Sequence, residues 1–302
     1  MDSNHIIDWK DPKLEAQIRS ILGISEPITI QDVRKLDELD LMSGDLVSKA
    51  SALSDFTWLK KLSIGIDWET SISFLECMPE LEELSLSSVG KLDISPIKKL
   101  KNLRSLSICG DPLADVNPIN LSVLGELKHL TYLKLMSMSS VDFSFLEKLT
   151  NLEQLELVEI GPMRNTCSIT ASPKLKELTL FDLILNDVDF LFRLKHRLQY
   201  LDVSSNVIFN SRGFSVLDQI VTNDQYDVSS NEMDSLEILE PYNNGDCVSD
   251  NCLMDEDTFN WFINGRLKEY WDLAHQKNLI KAAVTSAIAL VRHRSSGESI
   301  NV

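Results

Sequence analysis

The side chains of this 302-residue chain that could do chemistry are its 5 histidines, 5 cysteines and 46 acidic residues. Their spacing argues against most of that chemistry. His5, His129, His196, His275 and His293 are scattered, and His129 and His196 fall just before strand-like segments, where a turn or surface position accounts for them. Cys247 and Cys252 lie close together in CVSDNC, a spacing that could supply half of a zinc site or a disulfide. No second Cys or His pair accompanies them, so a loop with two free thiols is expected. The chain has no glycine-rich phosphate loop of Walker or Rossmann type, no HExxH and no GxSxG. Paired carboxylates are numerous, as chance alone provides in a chain of formal net charge −17. The expectation is therefore a non-enzymatic protein with no catalytic residue, cofactor or metal.

The same charge selects among partners. An acidic surface repels phosphate backbones, which disfavours nucleic acid and favours a basic protein or peptide. The N-terminal stretch MDSNHIIDWKDPKLEAQ has neither a basic region nor an apolar run of signal length. The longest apolar candidate, Leu279 to Val291, is short and interrupted by Lys281, Thr285 and Ser286. An odd, scattered cysteine set suits a reducing compartment, and a cytoplasmic location is expected.

What positions the remaining polar and aromatic residues is a repeat. The pattern leucine, two residues, leucine, one residue, leucine recurs as Leu36–Leu39–Leu41, Leu59–Leu62–Ile64, Leu81–Leu84–Leu86, Leu103–Leu106–Ile108, Leu130–Leu133–Leu135, Leu152–Leu155–Leu157, Leu175–Leu178–Leu180 and Leu198–Leu201–Val203, with a degraded ninth copy at Asn223–Tyr226–Val228. Successive copies are offset by 23, 22, 22, 27, 22, 23, 23 and 25 residues. A fixed period in this range with this signature is that of a leucine-rich repeat. The fold class expected is an α/β solenoid, a horseshoe with a parallel concave sheet, short helices or 3₁₀ turns on the convex side, and helical caps at both ends.

Each copy should give one short strand with its leucines inward. The return half carries its own apolar residues at spacings of three and four, such as Ile72/Leu75, Ile94/Ile97/Leu100, Phe143/Leu146/Leu149 and Phe190/Leu194. The long fourth copy holds GDPLADVNPINLSVL, where Pro112 and Pro118 argue for an inserted loop. The asparagine that usually follows the strand survives only as Asn206 and Asn231, so the earlier turns should be less regular. Three regions follow: a helical cap over 1–35, about nine repeats over 36–242, and an acidic loop with a helical cap over 243–302. In the first, Asp11 and Pro12 suit N-cap and N1 positions, Leu14, Ile18, Ile21 and Leu22 repeat at helical spacing, Gly23 suits a stop, and Thr29 with Asp32 resembles a capping box. In the last, Asp255, Glu256 and Asp257 would open a helix carrying Phe259, Trp261, Phe262, Leu267, Tyr270 and Trp271, followed by a second over about 276–294.

Alternation assigns the outward residues of each strand. In the early copies these are Glu38, Asp40 and Met42, then Lys61, Ser63 and Gly65, then Glu83, Ser85 and Ser87, then Ser105, Ser107 and Cys109. In the later half they become apolar and aromatic at Tyr132, Met136, Val158, Phe181 and Tyr200. Acid surrounds them at Glu156, Glu159, Glu177, Asp182, Asp202 and Asp227. Buried aromatics are the usual anchors of an interface. The candidate partner-binding residues are thus Tyr132, Met136, Glu156, Val158, Glu177, Phe181, Tyr200, Asp202 and Asp227, and the partner expected is a basic segment with an apolar knob.

The stretch DPKLEAQIRSILG…ITIQDVRKLDELDL resembles the helical cap and first repeat of internalin-like bacterial leucine-rich repeat proteins. The copies ending SFLECMPELEELSL and SFLEKLTNLEQLEL resemble their repeats, so that the likeness covers roughly residues 8 to 231. The resemblance implies protein–protein recognition through the concave face. A second reading is an exported adhesin or effector engaging a host protein, and a third places an activity in the C-terminal helical segment.

Overall fold

The computed structural model describes residues 5–203 apart from 43–45, 68–69, 111–117, 139–140, 161–162, 186–188 and 195–196, and beyond these the pairs 207–208 and 226–227. The expected acidic loop over 243–257, the helices after it, Cys247, Cys252, Asn206, Asn231, His196, and Pro112 of the insertion lie outside the described residues.

Every copy of the leucine pattern forms a strand. The strands are β1 (Glu38–Leu41), β2 (Lys61–Gly65), β3 (Glu83–Val89), β4 (Ser105–Gly110), β5 (Tyr132–Met138), β6 (Gln154–Ile160), β7 (Glu177–Phe181), β8 (Tyr200–Asp202) and β9 (Tyr226–Asp227). They make one sheet in chain order, with each pair parallel. The second leucines lie side by side across it: Leu39, Leu62, Leu84, Leu106, Leu133, Leu155, Leu178 and Leu201 are aligned partners, and all are buried. Each such side chain removed from water contributes about 2 kcal/mol. A slip of one residue would turn the whole ladder outward, so burial itself specifies the register.

The backbone continues the ladder just before each strand. The amide of Lys60 donates to Asp37, Glu82 to Lys60, Arg104 to Glu82, Thr131 to Arg104, Glu153 to Thr131, Lys176 to Glu153 and Gln199 to Lys176, at 2.7–2.9 Å. The chain returns through 3₁₀ helices at Ser51–Asp55, Ser73–Cys77, Ser95–Lys99, Leu121–Glu126, Phe143–Lys148, Thr166–Ala171 and Asp189–Arg193. A 3₁₀ turn is narrower and rises faster than an α turn, which suits a return of only a few residues. The apolar residues expected in the return half are buried opposite the leucines, with Phe56 and Phe143 among the largest fully buried side chains.

Asparagines do hold the turns together, at positions other than the one after the strand. Asn102 donates its amide to the carbonyl of Pro79, and Asn151 to that of Lys128, each one coil back. On the convex side Asp93 accepts from the amide of Ser95, and Asn120 donates to both Asp93 and the Ser95 hydroxyl. Asp142, Ser144 and Asn165 repeat that arrangement. The Ser95 hydroxyl most of all, with the Ser95 amide and Asn120, holds the Asp93 carboxyl below its usual range, and the Ser144 hydroxyl most of all brings Asp142 down to about 2.

The N-terminal cap forms as its sequence predicts, with one correction. α1 (Pro12–Leu22) has Asp11 as N-cap and Gly23 as C-cap with φ +66°, and α2 (Ile30–Val33) opens with a capping box between Thr29 and Asp32. Leu14 and Ile18 are buried, whereas Ile21 is 45% exposed, so the apolar stripe of α1 is narrower than its spacing implies. Asp11 does more than cap. One carboxylate oxygen accepts from the amides of Lys13 and Leu14, and the other from the amide and hydroxyl of Ser48 and the amide of Lys49. It thereby ties the cap to the first coil. Burial alone would raise its pKa, but the bonds from Ser48, Lys13 and Lys49 leave it below the usual value.

Candidate protein-binding face

Among the described residues no helix covers the face of the sheet opposite the core, and strand pairing sorts its side chains into rows. The first row is Glu38, Lys61, Glu83, Ser105, Tyr132, Gln154, Glu177 and Tyr200. The second is Asp40, Ser63, Ser85, Ser107, Lys134, Glu156, Thr179, Asp202 and Asp227. The third runs Cys109, Met136, Val158 and Phe181. The nine candidate residues therefore share one face. Tyr132, Glu177 and Tyr200 stand in the first row, Glu156, Asp202 and Asp227 in the second, and Met136, Val158 and Phe181 are neighbours in the third. For Asp227 the strand position alone is described.

The candidates are not equally available. Tyr200 is 37% exposed. Tyr132, Met136, Glu156, Val158, Glu177, Phe181 and Asp202 are half-buried. The Tyr132 hydroxyl donates to Glu156 Oε1 at 3.0 Å, and Lys134 Nζ lies 2.9 Å from Glu156 Oε2. Burial, reinforced by the bond to Glu156, pushes the Tyr132 phenol well above its ordinary value. Gln154 donates to Glu177 Oε2 at 2.5 Å. Glu156 is thus engaged by two neighbours in the adjacent strand, a pairing that alternation alone cannot reveal because it depends on which residues stand side by side across strands.

A second feature lies just beyond the third row. Ser137 and Glu159, each next to last in its strand, and Asp182, just after β7, have φ of 55°, 51° and 57°. The left-handed region costs a non-glycine residue roughly 1–2 kcal/mol. The Ser137 hydroxyl donates to Glu159 Oε2 at 2.7 Å across this line. Asp is tolerated there, but neither Ser nor Glu signals such a turn in a sequence.

The early half of the face is built differently. Its middle is serine, at Ser63, Ser85, Ser87, Ser105 and Ser107. Lys61 pairs with Glu83 at 2.8 Å, and that hydrogen bond raises the lysine pKa. Ile21, Leu36, Glu38, Asp40, Lys61 and Glu83 border a shallow groove. Gly65, an outward position, is buried, because a Cβ there would meet Leu46 at 3.0 Å and Ser87 Oγ at 3.3 Å. Leu46 itself is 46% exposed. A leucine from the loop after β1 thus occupies the space that alternation assigns to an outward side chain of β2.

His129 is exposed, Cys77 and Cys167 are exposed free thiols and Cys109 is half-buried. Among the described residues no three His, Cys, Asp or Glu side chains converge as a metal site would require, and no helix is long and apolar enough to cross a membrane.

No protein-family model matches the chain, and no curated protein matches it. Solved structures do. Internalin C2 from Listeria monocytogenes str. 4b F2365 is 18% identical, over 67% of this chain and 97% of that one, with a TM-score of 0.47. Internalin F from the same strain is 16% identical, over 73% and 89%, with a TM-score of 0.33. The plant peptide hormone receptor RGFR1, solved in complex with RGF2, is 19% identical over 64% of this chain and 32% of the receptor, with a TM-score of 0.43. By its own repeat geometry the chain is a leucine-rich repeat solenoid, and internalins are among the solved structures it is similar to in fold.

Proposed function

We propose that this chain is a non-enzymatic interaction module that binds a basic protein or peptide on the later half of its concave face. The observation that carries the reading is the third row with its neighbours. Met136, Val158 and Phe181 stand on adjacent strands, with Tyr132 and Tyr200 in the first row and Glu156, Glu177 and Asp202 among them. Aromatic and apolar anchors ringed by polar groups are what a protein interface uses. The carboxylates would steer a cationic partner and set its register more than they would add affinity. Its place of action in this reading is a reducing compartment, the cytoplasm, which an odd, scattered set of five cysteines suits.

The test is affinity capture from the native cell lysate on the immobilised chain, read by mass spectrometry, beside a variant carrying Phe181→Ala and Tyr200→Ala. A partner retained by the native chain and lost by the variant supports the reading. Charge reversal at Glu156, Glu177 and Asp202 together should weaken the same partner, more so at low salt. Partners that both variants retain at undiminished affinity would remove this face from consideration.

A further inference from the structure

We infer that the occupant of this face is an amphipathic basic helix lying across the strands, along the axis of the solenoid, with its apolar stripe on Met136, Val158 and Phe181. The inference rests on the proposed binding role of the later half and adds the conformation and direction of the partner.

Three observations carry it. The first is spacing. Cys109, Met136, Val158 and Phe181 occupy the same position on four adjacent strands, with none skipped. Adjacent strands lie about 4.8 Å apart. A helix repeats a face every turn, about 5.4 Å, through residues at i, i+3 or i+4, and i+7. An extended chain repeats a face every second residue, about 6.7 Å. Over the three steps from Cys109 to Phe181 the strands advance roughly 14 Å. A helix advances about 15 Å in ten residues, whereas three two-residue steps of an extended chain overshoot to about 20 Å. Only the helix puts one apolar side chain on each strand.

Charge is the second observation, and it lies on both sides of the apolar row. Glu156 and Asp202 stand in the row on one side, and Glu159 and Asp182, which follow Val158 and Phe181 in the chain, stand on the other. Lys134 is the one cation among these positions, and it is paired with Glu156. An apolar stripe with acid along both edges complements a helix whose apolar stripe carries Lys or Arg along both edges. The third observation is rigidity. Bonds from Tyr132 and Lys134 to Glu156, from Gln154 to Glu177 and from Ser137 to Glu159 hold these carboxylates in place before any partner arrives, which lowers the entropy lost on binding.

The probes are two synthetic peptides of identical Leu, Lys and Ala composition, tested by fluorescence anisotropy on the full chain. One carries Leu at helical spacing with Lys flanking the stripe; the other alternates Leu and Lys. The helical peptide should bind about tenfold more tightly, gain helical circular dichroism on binding, and lose that affinity on Val158→Lys. Thermal unfolding of V158K, and of E159K and D182K together, verifies that each variant is folded, and the double variant should weaken the same peptide. Equal or tighter binding of the alternating peptide, still sensitive to V158K, overturns the helical occupant and leaves the concave-face reading standing. Binding of neither peptide, or binding indifferent to every one of these variants, overturns both.

Discussion

The early and later halves of the concave face share one backbone and differ in almost every outward side chain. Strands β2 to β4 present Ser63, Ser85, Ser105 and Ser107, whereas β5 to β8 present Tyr132, Met136, Val158, Phe181 and Tyr200. Beneath both runs the same buried ladder, from Leu62 to Leu201. The contrast teaches that the inward residues carry the fold and the outward residues are free to carry recognition. A serine in a strand gives up burial and β-propensity, and the ladder tolerates it because the stabilisation comes from the other face. The early half adds its own asymmetry: Leu46 covers Gly65, Met42 and Leu46 remain exposed, and exposed Ile21 borders the groove.

The largest effects should fall equally on the two halves, because they touch what the halves share. Leu84→Ala and Leu155→Ala remove equivalent, fully buried rungs, and each should cost about 3 kcal/mol in urea unfolding. A much smaller loss in one half would mean that the ladder is not one continuous core. Next comes Asp11→Ala, which deprives α1 of its cap and leaves the amides of Ser48 and Lys49 without their acceptor. It should cost about 2 kcal/mol. Hydrogen exchange should show the loss concentrated in the cap and first coil, while the later half keeps its protection.

The third comparison separates the halves. Phe181→Ala should weaken the captured partner about tenfold, close to 1.4 kcal/mol. Ser85→Ala, on the same face but four strands away, should leave affinity unchanged. Equal effects at both sites would spread the interface over the whole sheet. The smallest effect is a pH dependence. Asp142 has a folded pKa of about 2 against an ordinary 3.8. A depressed carboxyl pKa stabilises the fold above its unfolded value, and that contribution disappears as pH falls through the folded one. Stability of the native chain should therefore decline between these two values, and Asp142→Asn should flatten that part of the profile. Asp11, also depressed, should contribute in the same direction. An unchanged profile in D142N would show that the Asp142–Ser144–Asn165 arrangement is incidental to stability.

Much of the architecture was legible from particular residues. The L-x-x-L-x-L register located every strand of the nine-stranded sheet, and the apolar spacing of Ile94, Ile97 and Leu100 located a 3₁₀ return. Asp11, Gly23, Thr29 and Asp32 announced the first cap because each has a local role that its neighbours in sequence satisfy. The repeat signature places its asparagine after the strand, whereas Asn102, Asn120, Asn151 and Asn165 act elsewhere, one coil away from their acceptors. The repeated Asp-x-Ser at 93–95 and 142–144 was the available signal. Ile21 was expected inside α1's apolar stripe and is exposed, since a short helix packed at one end of a solenoid meets the core over a narrow strip.

By itself the sequence determined the period, the inward face, the caps at residues 11–33 and the list of outward side chains, because these follow from spacing along one chain. Only the tertiary structure decided which outward residues stand together. Stacking brought Tyr132 and Lys134 onto Glu156, put Gln154 beside Glu177, lined Met136, Val158 and Phe181 into one row and let Leu46 fill the place beside Gly65. Those neighbours are about two dozen residues apart, and the 22- to 27-residue coils bring them together through hydrogen bonds between strands rather than through any local preference.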